Sequence, residues 1–519
     1  MTDAFSEQWT VTKPAVASRG GVVAAQNQKA ARAGVEILDA GGNAIDAAVA
    51  TSMALGATEP WMSGIGGIGT MIVHMAESGA DHAIDFGAIS PRRLDPWDYP
   101  LTGGEDADLF GWPAVLENRN VQGPLSIAVP GLVAGMGLAR DRFGTMPWHD
   151  LLQPALRLAR EGLEVDWWSS IMTSSAARDL RRYPSSRRIW LPDDLPPVPD
   201  SNGARIFLPL GRLADTLQEL ARSGPASFYR GDLARRLVAD MAALGGVLGQ
   251  DDLESYEARV REPLSLRHGN ARIAAMPGLF AGSTLGRCLE LLGGKSHGSP
   301  IGAAFYTTVG LALQQAYRER LEKAGGEESP TQTCTSHFNV VDRAGNMVAV
   351  TQTLLSIFGS RVVLPSTGVL MNNGINWFDP RPGRPNSLAP AKRPLSNMCP
   401  LGVEAEGRRF AIGASGGRKI LPAVLQLALF LIDHRMGLED AFATPRIDVS
   451  GPEIATMDTR LAAPIQTALA SQLGAKPYRP RAYPLGFACP SAVLRDAEGT
   501  NWSTAETMQP WAGAQAQSA

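Results

Sequence analysis

The stretch Thr335-Ser-His-Phe-Asn-Val-Val-Asp342, followed by Arg343-Ala-Gly345 and then Asn346-Met-Val-Ala-Val-Thr-Gln-Thr353, switches to a period of two and decides how the chain reads. Alternation at that period predicts two strands, and the short segment between them predicts a hairpin. If Gly345 takes the left-handed position of a three-residue loop, Asp342 pairs with Asn346 and the register places Thr353 directly opposite Thr335. Both hydroxyls are then expected on one face.

A threonine at a strand start has two readings. One is structural only. In the other, cleavage after Cys334 creates a free α-amine on Thr335, with a reference pKa of about 7.7–8.0, that can take the proton of the same residue's hydroxyl at neutral pH. Before cleavage, the hydroxyl can attack the Cys334 carbonyl and give an ester that water resolves, so the fold would process its own precursor. The β-branched side chain restricts χ1 and keeps the hydroxyl aimed. The hairpin residues alone leave both readings open.

Upstream, a helix is expected over Gln28 to Ala40, ending at Gly41-Gly42, where glycine accepts the left-handed conformation. A second helix follows, with Asn43 as its cap and Asp46 at capping-box spacing. Ser63-Gly-Ile-Gly-Gly-Ile-Gly69 comes next, then expected strands at Thr70 to Met75 and Ala83 to Phe86. Gly64-x-Gly66-x-x-Gly69 matches a dinucleotide fingerprint as a bare pattern. Its context is reversed, with a helix before and a strand after, so it reads as a turn permitting close backbone approach.

The middle third alternates helical stretches, such as Leu151 to Gly162 and the arginine-rich Arg178 to Arg188, with proline-bearing loops. Arg181, Arg182, Arg187 and Arg188 read as a solvated face rather than an anion site. Lys323 to Pro330 reads as an exposed linker of small and charged residues. Beyond the hairpin, strands are expected near Gly368 to Met371 and Arg409 to Ile412, and a long apolar helix from about Lys419 to His434.

Gly413-Ala-Ser-Gly-Gly417 matches a nucleophile elbow, the rival that would make Ser415 the nucleophile. The one later histidine, His434, lies at the far end of the same helix, about 28 Å away at 1.5 Å per residue, so a triad cannot close. The paired glycines suit an oxyanion hole better.

Composition limits the remaining choices. A chain of 519 residues with 44% hydrophobic residues, 19% charged residues and a net charge of -3 has material for a large core and no basic stretch suited to nucleic acid or an anionic membrane. Cys288, Cys334, Cys399 and Cys489 are too far apart for a metal ribbon, and the seven histidines form no ligand motif, so no metal or cofactor is expected. The first residues lack a signal-peptide pattern, and the expected location is cytoplasmic.

Several long motifs, in order, resemble the γ-glutamyltranspeptidase family of N-terminal-nucleophile hydrolases. They include Gly41-Gly-Asn-Ala-Ile-Asp-Ala-Ala48, Glu59-Pro-Trp-Met-Ser-Gly-Ile-Gly-Gly67, Val129-Pro-Gly131, Phe143-Gly-Thr-Met-Pro147 and Pro154-Ala-Leu-Arg-Leu-Ala-Arg-Glu-Gly162. In the second half they include Thr335 to Asp342, Lys392-Arg-Pro-Leu-Ser-Asn-Met398 and Gly413 to Gly417. The resemblance implies an α+β, four-layer αββα fold. It also implies a precursor cut between Cys334 and Thr335 into a large subunit, 1–334, and a small subunit, 335–519, intertwined as a heterodimer. Further dimerisation is left open. By the same resemblance Thr335 is the nucleophile, Thr353 the threonine that supports it, and Gly416 and Gly417 the oxyanion hole.

The substrate positions depart from the family. The carboxylate-clamping arginine is matched by Gly87, an asparagine by Leu355, and the ammonium-binding residues by Gly374-Ile-Asn-Trp377; of a serine pair only Ser396 persists, beside Asn397. Losing several partners in one recognition site is costly, which argues against a glutathione specialist. Arg361 and Arg418 are candidates for binding a carboxylate, with structural salt bridges as the alternative. The stretch from Pro382-Gly383 to Lys392-Arg393 is short, so the lid loop of some bacterial members is expected to be absent. The expectation is an amidohydrolase or acyltransferase acting on a small carboxylate-bearing acyl group. Its alternatives are a true γ-glutamyltransferase with a rewired pocket, an uncleaved and inactive binding protein, and, weakest, a serine hydrolase.

Overall fold

The structure is a computed structural model that describes residues 11–105, 110–293, 300–324 and 334–518. Most of the expected linker, from 325 onward, lies outside the described residues.

Fourteen strands form two seven-stranded sheets. In chain order they are β1 (Val16–Ser18), β2 (Val22–Ala25), β3 (Ile68–Met75), β4 (Ala80–Phe86), β5 (Arg259–Arg261), β6 (Leu264–His268), β7 (Ala271–Ala275), β8 (Cys334–Val341), β9 (Met347–Leu355), β10 (Leu401–Ala405), β11 (Arg408–Ser415), β12 (Cys489–Arg495), β13 (Asn501–Ala505) and β14 (Gly513–Ala516). One sheet runs β14-β2-β8-β9-β3-β4-β5 and the other β1-β13-β12-β11-β10-β7-β6. Each sheet contains strands from both sides of Thr335, so neither half completes a sheet alone.

The period of two in these strands sends alternate residues to opposite faces. In β9, Val348, Val350 and Leu354 face outward against helices α1 (Gln28–Asp39) and α2 (Ala44–Thr58). Met347 and Ala349 face inward toward Ala411 and Val493 of the second sheet. The outer face of that second sheet, with Phe410 and Ile412, packs on α3 (Gly282–Leu291), α4 (Ala303–Ala324) and α5 (Ile420–Ile432). Helix, sheet, sheet and helix therefore stack as the expected αββα layers.

Local signals worked where backbone chemistry dictated the outcome. Asn43 accepts from the Ile45 and Asp46 amides, and Asp46 accepts from the Asn43 amide, a complete capping box. The helix α1 stops before Gly41, whose φ is +92°. The expected strand at Gly368 to Met371 is not one. Val363–Leu370 and Gly66–Met371 are isolated bridges: Leu364 N to Val369 O and Met371 N to Val362 O make the first, and on either side of it the backbone turns away, with Gly368 N bonded to Leu364 O and Asn372 N to Gly66 O.

The glycine run is a close-packed turn. It follows α2, leads into β3, and brings three backbones together. A Cβ would stand 2.3 Å from Leu370 O at Gly66, 2.6 Å from Thr353 O at Gly67 and 2.4 Å from Thr351 O at Gly69. Gly69→Ala is therefore expected to destabilise the protein by about 1–3 kcal/mol, as overpacked cores do, measured as a lower midpoint of chemical denaturation.

Candidate active site

Thr335 lies at the head of β8 with 5% of its surface exposed. The ladder between β8 and β9 runs from Val341–Met347 to Ser336–Gln352, and a bulge between Cys334 and Ser336 then shifts the register to Cys334–Leu355. The extra residue is on β9, so Thr353 and Leu354 together stand opposite Thr335. A bulge re-aims the side chain it carries, and the hydroxyls of Thr335 and Thr353 end 3.4 Å apart. Thr353 Oγ1 also accepts the Leu355 amide at 2.8 Å. Leu355, Phe358 and Arg361 all have positive φ, at 86°, 58° and 63°, a strained arm held immediately after the second threonine.

The same inward face carries a polar column. His337 Nδ1 is 2.9 Å from Thr351 Oγ1 and its Nε2 is 3.2 Å from Asn339 Oδ1. Asn339 donates to the Ser491 carbonyl and hydroxyl on the second sheet at 2.8 and 3.0 Å. Burial lowers the His337 pKa to about 3, so its ring is neutral and cannot take up a proton near pH 7.

The outward face of the hairpin holds a network that sequence reasoning missed. Ser52 Oγ donates to Gln352 Oε1 at 2.5 Å, and Gln352 Nε2 donates to Ser63 Oγ at 3.0 Å. Ser63 Oγ donates to Ser336 Oγ at 3.1 Å, and Ser336 Oγ donates to Glu59 Oε2 at 3.2 Å. Gln509 Nε2 completes it at 3.3 Å from Glu59 Oε1. Burial raises the Glu59 pKa to about 8, so an uncharged carboxylic acid supports the residue after Thr335. The available signal was Glu59-Pro60 directly ahead of a glycine run; its partners come from four other segments.

Gly416 and Gly417 follow β11 with φ of 130° and 57°, values that glycine holds without a side-chain penalty. Their place follows from the facing sheets. A Cβ at Gly402, the ladder partner of Ala411, would lie 3.4 Å from Ile72 Cγ2, and one at Gly413 would lie 2.3 Å from the His337 ring. Two more residues along β11 bring Ser415 and the glycine turn to the end of the layer where Thr335 and Thr353 sit. Ser415 is buried and pairs with Cys489 in the ladder. His434 packs against Phe305 and Phe430, at the far end of α5, as the length argument required.

Two hollows open near these strand ends, neither of them lined by Thr335 or Thr353. One, of about 520 Å³, is lined by Ser415, Gly416 and Lys419 together with apolar groups such as Trp168, Ile357 and Phe487. The other, of about 390 Å³, is lined by Asp85, Gly87, Arg261, Arg393, Ser396 and apolar neighbours including Trp377. Ser396 lines the second hollow, and half-buried Asn397 lies beside it in the chain. Arg361 turns away from both hollows. It is buried, with Nη1 donating to the Val121 and Gly359 carbonyls at 3.2 and 2.7 Å, because its positive φ folds the side chain back over its own loop. Arg418 is also buried and lines neither hollow, while its carbonyl accepts the Tyr317 hydroxyl. Of the residues at 375–377, Ile375 and Trp377 are buried, and Asn376 accepts from Asn120 and Trp112. The loop from 379 to 392 is short and tied down by Asp379–Arg381 and by Lys392 Nζ on the Pro385 and Ser387 carbonyls.

The layered fold and the threonine hairpin define an N-terminal-nucleophile hydrolase. The family model described as Gamma-glutamyltranspeptidase matches residues 30–331 and 311–509. Acylase ACY 1 proenzyme of Pseudomonas sp. (strain V22) is 35% identical over 483 residues, covering 85% of this chain and 84% of its own length. Glutathione hydrolase proenzyme of Escherichia coli (strain K12) is 30% identical over 497 residues, covering 83% and 81%. The crystal structure of cephalosporin acylase from Bacillus halodurans superposes with a TM-score of 0.84 at 24% identity and covers 100% of both chains, a likeness of fold. The chain belongs to the γ-glutamyltranspeptidase family, and it is an amide hydrolase or acyltransferase of that family.

Glu59 gives this site a pH signature. Its folded pKa of about 8 lies above the ordinary 4.5, so the folded state keeps a proton that the unfolded chain has released. Stability should fall as pH rises between about 4.5 and about 8, then level off. Denaturant midpoints across that window should decline in the wild type and be flatter in Glu59→Gln.

Proposed function

We propose that the protein is an autoprocessing threonine amidohydrolase that cleaves the amide of a small, carboxylate-bearing acyl group. The observation that carries this reading is the 3.4 Å approach of the Thr335 and Thr353 hydroxyls where the head of β8 meets the bulge of β9. In the precursor the Thr335 hydroxyl attacks the Cys334 carbonyl, and hydrolysis of the resulting ester releases a large subunit, 1–334, and a small one, 335–519. The two remain one heterodimer because each sheet needs strands from both.

In the processed enzyme the new α-amine takes the Thr335 hydroxyl proton as the oxygen attacks the substrate carbonyl. Thr353 orients that hydroxyl, and the Gly416 and Gly417 amides receive the oxyanion. The same amine then protonates the leaving nitrogen, and water releases the acyl group. A neutral His337 supports the assignment of the base to the amine. The hollow lined by Ser415, Gly416 and apolar side chains is suited to the amine half of the substrate, since burying apolar surface contributes about 25 cal/mol per Å². Acylase activity fits the site better than glutathione hydrolysis, because Gly87, Leu355 and Ile375 offer a γ-glutamyl ammonium and carboxylate none of the family's polar groups. A cytoplasmic location accompanies this reading.

Intact mass spectrometry should find wild-type protein as two chains, the smaller beginning at Thr335, and Thr335→Ala as one chain. Persistence of a single wild-type chain would sink the proposal. Thr353→Val should slow amide turnover by about 10²–10³-fold, the usual cost of losing one such polar group, while Ser415→Ala should leave turnover within a few fold by steady-state assay.

A further inference from the structure

A third hollow, of about 370 Å³, lies behind the wall of the one at Gly416. The two share Leu485 and Phe487, so residues 485–488 form a common wall, and neither Thr335, Thr353 nor the glycine pair lines the third hollow. It forms where a small sheet of Ile447–Val449, Ala455–Asp458 and Lys476–Tyr478 meets the loop after β13. Arg446 precedes the first of these strands, Asp458 ends the second, and Glu506 follows β13.

The lining sets three guanidinium groups, Arg446, Arg460 and Arg481, against two carboxylates, Asp458 and Glu506. Both carboxylates are committed. Asp458 accepts Arg460 Nε at 3.1 and 3.0 Å and the Arg460 amide at 2.8 Å. Glu506 Oε2 accepts Arg446 Nη2, while its Oε1 accepts the Thr507 hydroxyl and the Met508 amide, each at 3.2 Å. Arg446 is only 7% exposed, and its Nη1 has no hydrogen-bond partner among the described residues. Arg481 enters no ion pair among them; its guanidinium lies over the Tyr478 ring, 5.5 Å from the centroid. One buried nitrogen and one positive charge are left over. Burying a guanidinium nitrogen unpaired costs free energy that an incoming anion would recover.

The wall beside these arginines is fixed. A Cβ at Gly486 would stand 2.1 Å from Tyr478 Cε1, so the backbone there lies directly on that ring. Lys419 Nζ holds the Gly486 carbonyl at 3.0 Å, and the Tyr478 hydroxyl donates to the Pro484 carbonyl. Phe487 meets the same ring edge-on, with centroids 5.8 Å apart. A concave space of this size with a few converging polar groups is the usual form of a small-ligand site.

We propose that this third hollow is a second ligand site, separate from the one at Gly416, in which Arg446 and Arg481 bind the carboxylate or phosphate group of a small anion. One excess charge matches one anionic group, and the planar guanidinium fork suits the oxygens of either kind. The site does not depend on the amidohydrolase reading, because none of its residues takes part in the reaction proposed above.

Calorimetric titration of the purified protein at neutral pH and constant ionic strength, with inorganic phosphate in one arm and acetate in the other, should show saturable one-site binding of at least one probe. The tighter arm tells phosphate from carboxylate. Arg481→Gln leaves both ion pairs intact and should weaken that binding about 10–100-fold, the range for hydrogen bonds to charged groups. Arg446→Lys keeps a cation on Glu506, removes the unpartnered nitrogen and should weaken it to a similar degree. A structural role alone would lower the denaturation midpoint and leave the affinity of the folded protein unchanged. If Arg446→Lys fails to fold, Arg481→Gln decides alone. Unchanged affinity in either folded variant, displacement of the probes by chloride at the same ionic strength, or no saturable binding tighter than about 10 mM overturns the assignment.

Discussion

Everything at this site depends on the close approach of two strand ends in a dry layer between two sheets. Thr335 and Thr353 meet because the β8–β9 register runs true for six pairs and then breaks at a bulge. The break frees Thr335 from the ladder, and the register before it fixes which residue Thr335 meets. Glycine makes the approach possible on both sides. Gly67 and Gly69 admit the backbone of β9 next to β3, and Gly413 admits the His337 ring from the opposite sheet. A side chain at any of these places would push the layers apart by more than a hydroxyl contact can tolerate.

The electrostatic character follows from that dryness. Buried groups beside Thr335 are polar but uncharged, His337 because burial makes its ring hard to protonate and Glu59 because burial makes its carboxyl hard to ionise. Such an environment strengthens each dipole and penalises unpaired charge. The outward network from Ser52 to Gln509 ties the hairpin to three other segments, at Ser52, at Glu59 and Ser63, and at Gln509, so the position of Thr335 is set by contacts from distant parts of the chain.

At the positions that the resemblance assigns to substrate recognition, Ile375 and Trp377 are buried and Gly87 lines a hollow. Arg361 and Arg418, which stood out by their positions in the chain, are both buried and face neither hollow. The guanidinium groups that do face one, Arg393 and Arg261, come from a proline-bearing loop and a three-residue edge strand. Neither was conspicuous, since each is one arginine among many in the sequence.

Period-two alternation, the Asn43–Asp46 capping box and the glycines after helices were legible in the sequence, because each depends on backbone chemistry over a few residues. So was the pairing of Thr335 with Thr353, which a single turn and its register imply, and so was the failure of Ser415 to find a histidine, which helix length alone decides. The sequence could not show the bulge at Thr335, the Glu59 network or the destination of each arginine. Those arose from contacts between segments hundreds of residues apart, where packing, rather than local preference, determines which polar groups meet and which are left to bind a ligand.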